Sequence, residues 1–296
     1  MISSITNAEK RFWRDHHRFW HTMTQKLKSR LKTFFLVKGW LFFFIGFLLG
    51  RAVILSHVSP FAIAFLATVW FIYRKQTFKM MVAIILGALS FSLSQGVFII
   101  LATAVFLLLA GFFKHTNHQQ IKIPIFVFIS TVAPRLCLYS MAGELTYYEW
   151  MLMVVEGILG SVLVLIFMQS IPLIELERYK SSLKNEEIVC LIILIASILT
   201  GTIGWQVYGA SIEQVFSRYF VLMLAFVGGA AIGSTVGVVA GLILSLAHVA
   251  NLYQMSLLAF SGLLGGLFNE GTKLGVSTGL LVGTLLVGIY GDSSTL

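Results

Sequence analysis

Three ionisable side chains lie inside long apolar stretches of this sequence. They are the residues in those stretches that could form ion pairs or bind a polar ligand. They are Arg51, Arg135 and Glu156, and we place all three toward the outer ends of predicted membrane spans. A guanidinium and a carboxylate at one depth can pair, which lowers the free energy cost of keeping either charge in lipid. We therefore predict intramembrane ion pairing of Glu156 with Arg51 or with Arg135, tying three helices together. The alternative is a polar site for a transported solute, although such sites usually lie near the midplane.

Motifs of catalytic or metal chemistry are missing from the sequence. No HExxH, GxSxG, CxxC or GxGxxG pattern occurs. Asp15 and Asp292 are the only aspartates, which excludes a two-metal site built on several of them. His16, His17 and His21 lack a further spaced ligand, so we interpret them as interfacial histidines. We predict no catalytic residue, no metal ion and no cofactor in this chain.

The elements that must position these charges are membrane helices. The chain is 58% hydrophobic and 11% charged, against about 25% charged residues in soluble domains. Apolar stretches predict spans at 39–55, 58–73, 80–94, 97–113, 123–142, 150–171, 187–205, 252–268 and 274–290. The uncharged block 219–250 is too long for one ordinary span and short for two. The predicted fold is an all-α, polytopic transmembrane helical bundle of ten or eleven spans over residues 39–296.

Glycine recurs at every fourth residue in two of the uncharged stretches. The runs are Gly229, Gly233, Gly237 and Gly241, and Gly271, Gly275, Gly279 and Gly283. This spacing lines one helix face with hydrogen atoms, which lets a neighbouring backbone approach closely. We predict that both faces pack helices, within one chain or between copies, so that self-association through them is expected.

Basic residues set the expected orientation. Residues 1–38 form a basic amphipathic arm in which Arg11, Arg14, Arg18 and Trp20 lie close together. The arm directly precedes a span, which favours membrane lipid as its partner over nucleic acid or a protein. Further basic clusters follow even-numbered spans, and acidic residues follow odd-numbered ones. This alternation predicts a multi-pass protein of the cell membrane with a cytoplasmic N-terminus.

Three long strings carry a more specific resemblance. They read GFLLGRAVILSHVSPFAIAF from Gly46, SLKNEEIVCLIILIASILTG from Ser182, and RYFVLMLAFVGGAAIGSTVGVVAGLILSLAHVANLYQMSLLAFSGLLGGLFNEGTKLG from Arg218. Over nearly the whole chain the sequence resembles the N-terminal membrane region of the stage II sporulation protein E family of endospore-forming bacteria.

The resemblance implies more than the residues themselves do. In that family a cytoplasmic central region and a PP2C-type serine phosphatase domain needing Mn or Mg follow the membrane region. The intact protein would dephosphorylate an anti-sigma-factor antagonist, releasing the first forespore-specific sigma factor. It would also act at the polar septum with the tubulin-like division protein. This sequence stops before either cytoplasmic region, so we interpret it as the anchoring and septum-localising part of such a phosphatase, lacking the catalytic residues. A small-solute or ion transporter is the alternative.

Overall fold

The structure is a computed structural model that describes residues 40–55, 57–112, 119–143, 146–174, 184–247, 252–268 and 273–293. The predictions for the basic arm (Arg11, Arg14, Arg18 and Trp20) and for Gly271 lie outside these residues. Contacts divide the chain into two units that meet after Phe44. Of the first unit the structure describes residues 40–44, where the rings of Trp40 and Phe43 lie 6.2 Å apart. All further contacts described here lie within the second unit, residues 45–296.

Helices account for nearly all of the described chain, so the predicted all-α class is confirmed. They are α1 (Trp40–Arg51), α2 (Pro60–Ile72), α3 (Thr77–Phe91), α4 (Leu93–Phe112), α5 (Gln119–Ala142), α6 (Tyr147–Ile174), α7 (Asn185–Thr200), α8 (Ile212–Ala247), α9 (Leu252–Leu267) and α10 (Lys273–Ser293). One 3-10 turn, Arg74–Gln76, joins α2 to α3.

A short hairpin between α7 and α8 was not predicted. Strand β1 (Gln206–Val207) pairs antiparallel with β2 (Ala210–Ser211). The two residues between them, Tyr208 and Gly209, have φ values of 52° and 80°. Positive φ at both central positions is the signature of the tight turn that matches the twist of a two-residue hairpin loop.

Among the residues that the structure describes, four helices are long and apolar enough to cross a membrane. They are Leu93–Gly111, Lys122–Ala142, Tyr147–Ile174 and Ile212–Ala247. The apolar helices Trp40–Arg51 and Pro60–Ile72 and the apolar segment Leu274–Leu286 are shorter. A perpendicular span needs about 20 residues, so the predicted count of ten or eleven spans stays a prediction.

Helix α2 is the most enclosed element of the second unit. Every residue from Pro60 to Val69 is buried, because α3, α4, α5 and α6 all pack around it. Pro60 occupies the first turn, where its missing N–H leaves no helical hydrogen bond unmade and its fixed φ suits the helix. A helix that is apolar on all sides is typical of such an interior position.

Carboxylates fix the first turns of two other helices. At the start of α6 the Thr146 N–H donates to Glu149 Oε2 at 2.8 Å. At the start of α7 the Lys184 N–H donates to Glu187 Oε2 at 3.0 Å. In both helices the carboxylate accepts a hydrogen bond from the backbone N–H of the residue just before the helix. The glutamate follows that residue by three positions, as in a capping box.

Glycines bring α8, α9 and α10 into backbone contact. A methyl group added at Gly237 would overlap the Leu258 carbonyl, and one at Gly241 would lie 2.6 Å from the Met255 Cα. On α10 a methyl group at Gly279 would meet the Gly265 Cα at 2.9 Å, and Gly283 faces Ser261 in the same way. These four glycines therefore contact neighbouring helices of the same chain, while packing through the whole of both runs and self-association stay predictions.

Helix α8 is broken at Gly229, where φ is 71° and ψ is −165°. An added methyl group at Gly233 would lie 2.7 Å from the Ala225 Cβ, although residues eight apart in a straight helix are about 12 Å apart. The chain therefore reverses at Gly229, and residues 230–247 run back along residues 212–228. The break at Gly229 thus divides the uncharged block 219–250, which fitted neither one span nor two. The helix that contains this block already begins at Ile212.

A buried arginine–glutamate centre as candidate functional site

The segment between α1 and α2 supplies the backbone of this centre. Ile54 and Val58 exchange two backbone hydrogen bonds, of 2.7 and 2.9 Å, which close a narrow turn. Leu55, at the turn, has a φ of 49° and donates its N–H to the Leu246 carbonyl at 3.0 Å. The turn thus anchors to the end of α8 and presents the residues that precede α2.

Glu156 of α6 and Arg135 of α5 form a two-point ion pair. Arg135 Nε donates to Glu156 Oε2 at 2.9 Å, and Arg135 Nη2 donates to Glu156 Oε1 at 3.0 Å. The exposed fractions of the two side chains are 9% and 2%. This fork geometry is the strong form of an arginine–carboxylate contact, because two parallel hydrogen bonds reinforce the charge attraction.

The segment before α2 supplies two further hydrogen bonds to the pair. The Ser59 N–H donates to Glu156 Oε1 at 2.8 Å, and Arg135 Nη2 also donates to the His57 carbonyl at 2.6 Å. The Arg135 guanidinium lies 3.8 Å from the ring centre of Phe98 on α4. One ion pair therefore joins α4, α5, α6 and the entry to α2.

This arrangement satisfies both charges in place and holds them away from solvent. A buried charge is tolerated when it is paired and its other donors and acceptors are bonded. Both oxygens of Glu156, and Nε and Nη2 of Arg135, are hydrogen-bonded to protein atoms. The chemistry supported here is structural pairing.

Arg51, the other arginine predicted near Glu156, lies elsewhere. Its Nη2 donates to the Ile203 carbonyl at 3.3 Å, and its Nη1 donates to the Ser90 carbonyl at 3.3 Å. Its guanidinium also lies 5.3 Å from the ring centre of Trp205. Arg51 therefore ties the end of α1 to α3 and to the turn after α7, and the pair of Glu156 is formed with Arg135.

Sequence reasoning missed one further arginine. The predicted uncharged block begins at residue 219, which leaves Arg218 immediately before it and without an assigned role. The structure puts it in the second turn of α8, inside the candidate span Ile212–Ala247. The reason is that the helix begins at Ile212, seven residues before the uncharged block.

Metal ligands do not gather in the part of the chain that the structure describes. Within it, no group of three or more His, Cys, Asp or Glu side chains is placed to hold a metal ion. Cys137 is exposed and Cys190 is buried, and both are free thiols.

Comparison with known proteins gives these features a context. A family model described as SpoIIE, N-terminal domain, matches residues 2–296. "Stage II sporulation protein E" of Bacillus subtilis (strain 168) is 45% identical over 278 residues, which are 93% of this chain and 34% of that protein. "Stage II sporulation protein E" of Priestia megaterium is 66% identical over 59 residues, which are 20% of this chain and 10% of that protein.

The extent of these matches decides what they establish. No solved structure matches the chain. The chain spans about a third of the length of its B. subtilis relative, so the matches concern a membrane-helical region and not the whole of that protein. The family model nonetheless covers the sequence almost from end to end, which confirms the resemblance carried by the three long strings. The chain therefore belongs to the SpoIIE N-terminal domain family.

Proposed function

We propose that this chain is the membrane-anchoring and septum-localising domain of a sporulation serine phosphatase. The observation that carries the proposal is the family match over residues 2–296, combined with a chain of apolar helices that the structure describes. The buried Arg135–Glu156 pair and the glycine contacts of α8, α9 and α10 give this domain a defined interior. A domain of this kind holds an attached region at the membrane.

The attached region would carry the activity. The B. subtilis relative is about three times as long as the stretch matched here, which leaves room for the cytoplasmic regions implied by the resemblance. We propose that they include a PP2C-type phosphatase domain that binds Mn or Mg. Its substrate would be a phosphorylated anti-sigma-factor antagonist, and its dephosphorylation would activate the forespore sigma factor. The tubulin-like division protein would be the septal partner.

The proposal also sets the membrane topology. Counting the two halves of α8 separately gives eleven helical segments over the described residues. An N-terminal arm and a following phosphatase that are both cytoplasmic require an even number of crossings. We therefore propose a multi-pass protein with ten crossings, in which one of the eleven segments does not cross. The basic turn Arg74–Gln76 would face the cytoplasm.

A small-solute or ion transporter is the second candidate, and one observation favours it. Transporters often bind their substrates at discontinuous helices, and α8 is discontinuous at Gly229. In this chain the break packs against Gly266 of α9, so protein contacts one side of the nonhelical backbone. That contact favours a packing role for the break.

The test of the proposal uses the native protein in sporulating cells. Residues 1–296 would be replaced by an unrelated multi-pass membrane anchor with the same orientation, leaving the rest of the protein intact. We expect a membrane-bound protein that no longer accumulates at the polar septum, measured by fluorescence of a C-terminal tag. Unchanged septal accumulation would contradict the localising role.

A second measurement addresses the attached region. An antibody against the N-terminal arm should detect a native protein well above 32.9 kDa, the mass of this chain. A band at that mass would contradict the phosphatase. Solute uptake by proteoliposomes that depends on Glu156 would support the transporter instead.

A further inference from the structure

The three arginines that lie in apolar helices differ in how their guanidinium groups are used. Arg135 is paired with Glu156, and Arg51 donates to two backbone carbonyls. Arg218 makes no hydrogen bond or ion pair with any other residue that the structure describes. It is nonetheless partly buried, in the second turn of α8. An ionisable group in a membrane helix usually faces a cavity or a partner, since its charge is costly in lipid.

Arg218 faces such a cavity. A space of about 250 Å³ lies between the first turns of α8 and α9. Its polar lining comes from two amides, two hydroxyls and one guanidinium: Gln214, Ser217, Arg218, Tyr253 and Gln254. Among the described residues that line it, Arg218 is the only charged one. Glu213, the nearest acid along α8, is 3% exposed and does not line this cavity.

The floor of the cavity is apolar. Leu257 and Leu258 of α9 close it, and they are 7% and 3% exposed. Residues 212–228 of α8 run parallel to α9, because Val221 approaches Gly262 while Ala225 approaches Gly265. The cavity therefore sits where two helices begin side by side. The partial positive charges of their first turns add to the field of Arg218.

We propose that this cavity binds a phosphate group, with Arg218 as its charged anchor. Arginine presents a planar fork of donors that matches phosphate oxygens, and the side-chain amides of Gln214 and Gln254 are further donors in the lining. The volume accommodates a small polar group and not a large ligand. Arg218 lies about 9 Å along α8 from its first residue, near the end of this helix. The phosphate comes either from an anionic phospholipid or from a soluble phosphate.

The experiment uses the full chain purified in a neutral detergent. Native mass spectrometry would measure binding of short-chain phosphatidylglycerol, of short-chain phosphatidylcholine and of inorganic phosphate. Arg218→Gln removes the charge and shortens the side chain while keeping it polar, and Arg218→Lys keeps the charge without the fork. Lys79→Gln is the matched control, because it removes one positive charge from an exposed position on α3, away from the cavity.

We expect the wild-type chain to bind phosphatidylglycerol or inorganic phosphate, with a dissociation constant that rises at least about tenfold in Arg218→Gln. Arg218→Lys should lie between the two, and Lys79→Gln should match the wild type. Loss confined to phosphatidylglycerol identifies a lipid source, and loss confined to inorganic phosphate identifies a soluble source. Equal binding by the wild type and Arg218→Gln, or an equal loss in Lys79→Gln, would overturn the site. Thermal unfolding of each variant without added ligand separates misfolding from loss of binding.

Discussion

Arg135 and Glu156 meet across α5 and α6 through two hydrogen bonds of 2.9 and 3.0 Å. Their charges are held among apolar helices, where neither is exposed by more than a tenth. Each side chain thus lowers the free energy cost of burying the other, since an unpaired charge in this place would lose its hydration without compensation. The pair also fixes the segment before α2, because Ser59 and His57 bond to it.

Glu156→Gln should destabilise the fold strongly. The substituted amide keeps the shape of the side chain, but the Arg135 guanidinium is left buried without a counter-charge. Removing one partner of a buried pair costs about 3–5 kcal/mol. We expect a loss of that order in the free energy of unfolding, measured by titration with a denaturing detergent in mixed micelles.

The matched control is Glu186→Gln, in the exposed first turn of α7. It removes the same charge from a solvated position, and its effect should stay below about 1 kcal/mol. The double variant Arg135→Gln/Glu156→Gln should be less destabilised than the sum of its single variants, because no charge is left unpaired. Additive losses, or a Glu156→Gln loss as small as the control, would contradict the pairing.

Gly237→Ala should separate α8 from α9. The added methyl group would overlap the Leu258 carbonyl, which belongs to a helix backbone and cannot rotate away. Overpacking of this kind costs about 1–3 kcal/mol, and we expect a matching loss of stability in the same detergent titration.

Gly111→Ala is the control for that substitution. It makes the same chemical change within α4, where no atom of the described residues lies within 4 Å of the added methyl group. It should leave stability unchanged or raise it slightly, because alanine favours the helix. Equal losses of stability in Gly237→Ala and Gly111→Ala would contradict the view that Gly237 is needed for the close approach of α8 and α9.

Much of the helical layout follows from the sequence, because apolar stretches bounded by charge can do little else in lipid. The stretch 58–73 became α2, Pro60–Ile72, and the stretch 252–268 became α9, Leu252–Leu267. The every-fourth glycines indicated close helix contact, and the structure shows five of them against a neighbouring backbone: Gly233, Gly237, Gly241, Gly279 and Gly283. These features depend on local composition and spacing, which a single sequence displays.

Other features depend on tertiary geometry that spacing does not reveal. Depth alone left Arg51 and Arg135 as equal partners for Glu156, and the turn through His57 and Ser59 decides for Arg135 by adding hydrogen bonds to the pair. Gly229 looks like its neighbours in the glycine run, yet it alone among them has a positive φ. Arg218 was not predicted as an intramembrane residue, because the block 219–250 was delimited by its lack of charge. The helix itself begins earlier, at Ile212.

The reversal of α8 at Gly229 predicts that both ends of this helix reach the same side of the membrane. A straight 36-residue helix would separate its ends by about 54 Å and place them on opposite sides. Single cysteines at Tyr208, in the hairpin before α8, and at Tyr253, in the first turn of α9, should therefore react with a membrane-impermeant maleimide added to one side. Both positions are exposed, and Cys137 and Cys190 would first be replaced by serine and alanine. A cysteine at Phe268, which follows α9 and is 50% exposed, should react from the opposite side and serves as the control. Labelling of Tyr208→Cys and Tyr253→Cys from opposite sides would contradict the reversal, because an uninterrupted α8 would then connect them.

Gly229→Ala should destabilise the protein by about 1–3 kcal/mol, since its φ of 71° with ψ of −165° is strained for any residue with a side chain. No atom lies within 4 Å of the added methyl group, so that loss would measure backbone strain and not steric overlap.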